Sequence, residues 1–226
     1  METSTSFWAT LDSWRARRAE IFGKWLMIYF WTQIILIAMA FRSPLLLLSG
    51  MPAVFLLLLS YGYSVIEVVI FYQLGRQEDR FKTSAGLALI LLVAGIIIEL
   101  LHSNVLAVLW RIPGGIIKLI AVYHFMIGCS EILLTTDGKL SDKWRSLWKW
   151  YIGLHVGTIV GTPVLLIMAE IVNNLGFIVL GLVLLVGILI AMFVVAILSL
   201  VYLYQTASCF QKISKTMKLG PGNDVN

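Results

Sequence analysis

Along this chain, apolar runs of about twenty residues alternate with short polar connections, and at about 1.5 Å per helical residue each run can cross a hydrocarbon layer roughly 30 Å thick. The runs fall at residues 21–41, 52–74, 83–102, 113–134, 149–172 and 175–204. They predict an all-α, polytopic membrane protein: a six-span transmembrane helix bundle at 21–204, preceded by an interfacial helix at 1–20 and followed by a basic tail at 205–226.

Shorter-period patterning predicts amphipathic helices on the cytoplasmic side. Phe7, Leu11 and Trp14 recur at i, i+4, i+7 with Asp12, Arg15 and Arg18 turned elsewhere, as in a helix lying in the headgroup plane. Before the fifth run, Ser141 or Asp142 is placed to cap a helix. On that helix Trp144, Leu147, Trp148 and Tyr151 share a face, while Lys143, Arg145 and Lys149 face lipid phosphates. One helix over residues 44–74 would be about 46 Å long, too long for one span. A break is therefore expected at Ser49-Gly50-Met51-Pro52, with 44–50 forming a short outer-surface or re-entrant segment.

Basic residues settle the expected orientation. Fourteen of the seventeen Lys and Arg cluster around the amino-terminal stretch, the second and fourth connections, and the tail. Arg42 and Arg111 fall opposite, and Lys118 lies within a run. The positive-inside rule then puts both termini in the cytoplasm of a multi-pass cell-membrane protein, with anionic headgroups as partners of the basic side chains. A cleaved signal peptide is the rival for the first run, because Ala38-Met39-Ala40 fits a small-x-small site. Trp25, Tyr29, Phe30 and Trp31 favour a permanent span with interfacial aromatics.

Composition excludes a soluble domain, since 60% of the residues are hydrophobic and only 13% charged, against roughly 45–50% and about 25% in soluble chains. Mean hydropathy is +0.92. The net charge of +5 belongs to the connections between spans and predicts no nucleic-acid partner. Cys129 and Cys209 sit at different depths, so neither a disulfide framework nor a metal pair is expected. The chain has no H-E-x-x-H, G-x-S-x-G or P-loop, which predicts no catalytic residue, metal or cofactor. Haem held by His124 and His155 would need them at one depth, and the expected spans separate them by about 6 Å.

Charged groups at membrane depth cost roughly 2.5–3.5 kcal/mol each on insertion scales, so they mark where function is sought. Three stripes point to an inner layer: Ser60, Ser64 and Glu67; His124, Gly128 and Glu131; His155, Thr158 and Thr162. If those faces converge, Glu67, Glu131, His155 and His124 line a polar cavity open to the cytoplasm, suited to binding an ion or small polar solute. The competing reading is a set of satisfied helix-to-helix hydrogen bonds. An outer layer contains Glu99, Lys118 and Glu170, and Lys118 is expected to pair with one of the carboxylates. Gly153, Gly157 and Gly161 form a small-residue face expected to pack another helix.

A faint duplication matches Phe41-Arg42-Ser43-Pro44 with Trp110-Arg111-Ile112-Pro113. Three functions follow in order: a small transporter or channel-like bundle binding a cation, proton or small polar solute; a non-catalytic scaffold or accessory subunit that associates through the apolar last span; and a lipid-acting membrane enzyme.

Overall fold

The computed structural model describes the backbone of residues 2–48, 53–102, 104–172 and 175–219, and the side chains of 13–39, 57–102, 105–159, 161, 179 and 181–217. The described residues are all-helical: α1 (Glu2–Leu48), α2 (Ala53–Gly75), α3 (Asp79–Leu100), α4 (Asn104–Leu133), α5 (Gly138–Val172) and α6 (Leu175–Leu219). Among them α1, α2, α3, α4 and α6 carry segments long and apolar enough to cross a membrane. The chain is therefore a multi-pass helical protein. The outer part of α5, including Glu170, lies outside the described side chains.

Connections of three or four residues at 76–78, 101–103 and 134–137 force neighbouring helices to run antiparallel. Each helix packs on the next in sequence, and α6 returns along a long seam to α1, so the six helices close a ring. At that seam the backbones come close enough that a methyl group on Gly23 would meet the Cγ of Gln211 at 2.8 Å and its backbone N at 2.9 Å. Only a residue without a Cβ allows this approach.

Three expected boundaries move. α4 begins at Asn104 and carries Pro113 in its interior rather than starting there; membrane helices tolerate proline because the freed carbonyl finds other partners locally. Residues 44–48 continue α1, so no separate outer segment begins at Pro44. The break expected at 49–52 lies outside the described residues. α6 runs on to Leu219, and Thr206, Ala207, Phe210 and Ser214, expected in the tail, are buried.

The segments expected to lie in the headgroup plane are the first turns of longer helices. α1 is unbroken from Glu2 into its span; Phe7 and Leu11 lie outside the described side chains. The helix before the fifth run is capped by Asp137, whose Oδ1 accepts from Leu140 N at 3.0 Å, rather than by Ser141 or Asp142. Ser141 lies inside α5, where it donates to Ser130 O at 2.8 Å and receives the Ser130 hydroxyl at 2.8 Å. Arg145 Nε completes the cluster on Ser130 Oγ at 3.0 Å. Trp144 is 1% exposed and donates through Nε1 to Thr206 Oγ1 of α6 at 3.0 Å. The apolar stripe of α5 thus meets protein instead of lipid. Spacing alone does not distinguish the two, because both require the same i, i+3, i+4 pattern.

Buried side chains concentrate in the half of the ring nearest the basic connections, where Phe22, Leu26, Leu74, Phe81, Leu133 and Phe210 are at most 5% exposed. Arg18 joins α1 to the α2–α3 turn there, donating to Gln77 O at 2.8 Å and Glu78 Oε2 at 3.3 Å. The far halves of α3, α4 and α6 expose Leu100, Leu109, Ile112 and Leu182, each by more than half, as suits contact with lipid tails.

Candidate functional site

All six helices contribute to one cavity of about 190 Å³ inside the ring, through Gln33, Glu67, Ala88, Lys118, Tyr151 and Ser199 among others. Glu67, on the third turn from the inner end of α2, is fixed by Tyr29 of α1, whose hydroxyl donates to Oε1 at 3.0 Å. One turn outward on both helices, Gln33 Nε2 donates to the Tyr63 hydroxyl at 2.6 Å. These pairs tie α1 to α2 at the level of the cavity.

A second space of about 500 Å³ continues from the first and shares Glu67, Ala88, Leu91 and Lys118 with it. Its remaining walls, including Tyr61, Tyr63, Trp110 and Arg111, lie farther from the basic connections on α2 and α4. The two spaces therefore form a funnel whose larger part lies toward the end away from the basic connections, whereas the expected cavity was to open at the basic end. The narrow end is closed by three rings in mutual contact: Tyr29 to Phe71 at 5.2 Å, Tyr29 to Phe125 at 5.1 Å and Phe71 to Phe125 at 5.1 Å between centroids. Phe125 also meets Phe81 at 5.7 Å and Trp144 at 6.1 Å.

The structure divides the expected inner constellation. The Ser60, Ser64, Glu67 stripe does face the funnel. Glu131 faces away, toward α3, where its two carboxylate oxygens accept from Arg80 Nε and Nη2, each at 3.2 Å. The cause is the packing of Gly128, where an added methyl would lie 3.1 Å from Phe81 and 3.2 Å from Arg80 Cβ. That glycine brings α3 against the very face of α4 that carries Glu131. Replacing Glu131 with Gln is expected to cost less than about 1 kcal/mol, because the ion pair is about one-third exposed and screened. Thermal unfolding checks this, and a loss of several kcal/mol would show that the pair anchors the fold.

The histidines are also apart. His155 Nδ1 donates to Tyr151 O at 2.9 Å, and its ring rests on that of Tyr151 at 4.1 Å. It sits behind a cavity-lining residue rather than among the lining residues. His124 Nδ1 is buried without a hydrogen-bond partner among the described residues, next to the Tyr123 ring at 5.3 Å.

The expected outer layer is redrawn. Lys118 lines the same cavity as Glu67 and forms no ion pair with Glu99, which is exposed near the end of α3; the alternative pairing with Glu170 lies outside the described side chains. The misplaced depth came from starting the span at Pro113. With α4 beginning at Asn104, Lys118 falls near mid-helix. Among the described residues Gly153, Gly157 and Gly161 pack against nothing, since an added methyl at each meets no described atom within 4 Å. Sequence reasoning missed Tyr29, Gln33 and Tyr151 as lining residues. The i, i+4 spacing of Tyr29 and Gln33, both polar-tipped within one apolar run, was the available signal.

Among the described residues no three His, Cys, Asp or Glu side chains gather to hold a metal ion, and both cysteines are free thiols. The chain matches no family model, curated protein or solved structure. Fold and cavity define its class: an all-helical, multi-pass membrane protein whose helices surround a mostly apolar space into which Glu67, Lys118 and Gln33 project.

Proposed function

We propose that the chain is a six-span cell-membrane protein, with both termini cytoplasmic, that binds a small polar solute in its axial cavity as part of transport. The observation that carries this reading is the convergence of all six helices on one space holding Glu67 and Lys118. Two ionisable groups kept at membrane depth are expensive unless they have work to do there. A funnel closed at one end and open at the other also matches one state of an alternating-access cycle.

The direct test is Glu67→Gln in the purified full-length protein. Removing the charge while keeping the shape is expected to weaken solute binding at least tenfold, about 1.4 kcal/mol. Unchanged binding would remove Glu67 from the site. For topology, reporter fusions after Gly138 and after Asn174 are expected to report opposite sides of the membrane. The same side for both would leave α5 outside the set of spans.

Anionic headgroups are the proposed partners at the basic end, where Arg17, Arg76, Trp14 and Trp25 line a groove of about 270 Å³. A second functional reading, a scaffold or accessory subunit, is favoured by one observation, the open glycine face of α5 beside the exposed apolar half of α6. A protein that binds no solute, and whose cavity stays closed to water-soluble reagents, would leave that reading in place.

A further inference from the structure

We infer that the cavity solute is a small zwitterion, held with its ammonium group at Glu67 and its carboxylate at Lys118; this deepens the solute-binding reading above and rests on it. Both charges line one compartment, on α2 and α4. The ion pairs formed by described side chains, Arg18 with Glu78 at 3.3 Å and Arg80 with Glu131 at 3.2 Å, lie at the basic end. Glu67 and Lys118 form no ion pair with each other. Between α2 and α4 the intervening helix α3 contributes Ala88 and Leu91, which cannot bridge the charges.

Glu67 is part-buried and Lys118 exposed, and opposite charges that share one compartment without touching leave part of their attraction unmet. A cationic solute answers Glu67 but is repelled by Lys118, and an anionic solute meets the converse. A molecule carrying both charges satisfies both groups and adds no net charge, so selectivity comes from repulsion as much as attraction. Tyr29 fixes the acidic pole through its hydrogen bond at 3.0 Å. The rings of Tyr29, Phe71, Phe125 and Tyr151 border the same space and favour an ammonium group by cation–π attraction.

Two further features give direction and size. Arg111 lies seven residues before Lys118, two turns outward on the same face of α4, and lines the wide part of the funnel. It offers an entering carboxylate a first cation before Lys118. A cavity of about 190 Å³ is below the usual range for drug-sized ligands, so the solute is of amino-acid size with a short spacer.

Equilibrium binding to the full-length protein in phosphatidylcholine nanodiscs tests this. The probes are β-alanine, 4-aminobutyrate and glycine betaine, with ethylammonium, choline, propionate and butyrate as single-charge controls. At least one zwitterion is expected to bind tenfold or more tightly than its single-charge relatives. Glu67→Gln and Lys118→Gln are each expected to abolish that preference. A control ion that binds as tightly, a preference that survives Lys118→Gln in a folded protein, or no binding by any of the three zwitterions overturns the inference. Reaction of Leu91→Cys with a water-soluble thiol reagent, above the labelling of the unchanged chain, separates the two levels of the argument. Reaction without zwitterion binding refutes the solute class and leaves the open cavity standing, whereas no reaction and no binding refutes both.

Discussion

Replacing Trp144 with alanine is expected to lower unfolding stability by about 3–5 kcal/mol, the range for truncating a buried large aromatic. Trp144 is the largest fully buried side chain among the described residues, with its indole N–H engaged by Thr206 and its ring against Phe125 at 6.1 Å and Tyr202 at 6.1 Å. Truncation loses ring contacts to α4 and α6 together and leaves Thr206 without its donor. Trp144→Phe keeps most of the ring and isolates the hydrogen bond, with an expected cost of about 1 kcal/mol. Thermal unfolding of the three proteins in one detergent reads the difference. A cost below about 1 kcal/mol for the alanine change would mean that Trp144 anchors in lipid, as its position among basic residues suggests, rather than holding the ring together.

That contrast shows what periodicity conveys. The helical elements were legible because an apolar run of membrane length has few alternatives to a helix. Whether an apolar stripe meets lipid or protein was not legible, since hydrocarbon and a protein core demand the same side chains. The Trp144 stripe therefore read as interfacial although α4 and α6 cover it. The α6 continuation past Tyr204 was missed for a related reason: Thr206, Ser214 and the lysines around them read as a polar tail until α1 is seen to pack there.

Helical phase was more informative than depth for the site. Lys118 and Glu131 are thirteen residues apart, about 220° around α4, so they could not face one cavity. Lys118 and Phe125 are seven apart and nearly in phase, and both line the space. The depth of Lys118 was misjudged because Pro113 was read as a helix start. Ser60, Ser64 and Glu67 on α2 do line one space, because α2 stays a regular helix through Gly62 and keeps the three in phase. Ring closure itself lies in no single segment; it emerges when α6 returns to α1 over a face narrowed by Gly23.

The second large effect is expected at the narrow end of the funnel. Phe125 contacts Tyr29, Phe71, Phe81 and Trp144, so four helices besides its own meet around its ring. Phe125→Ala removes the centre of the closure between the cavity and the basic end and is expected to cost about 3–5 kcal/mol. The variant molecules that remain folded are expected to leak small ions across proteoliposomes, because the cavity then joins the space beyond the rings, while the unchanged protein stays tight. Phe125→Leu restores most of the volume and is expected to restore the seal, which separates loss of the barrier from general damage. A folded Phe125→Ala protein as tight as the parent would show that the barrier lies elsewhere in the ring. The physical reason to place it here is that aromatic edges and faces in contact at about 5 Å leave no path for a hydrated ion, and an ion stripped of water in an apolar constriction meets a desolvation cost the side chains there cannot offset.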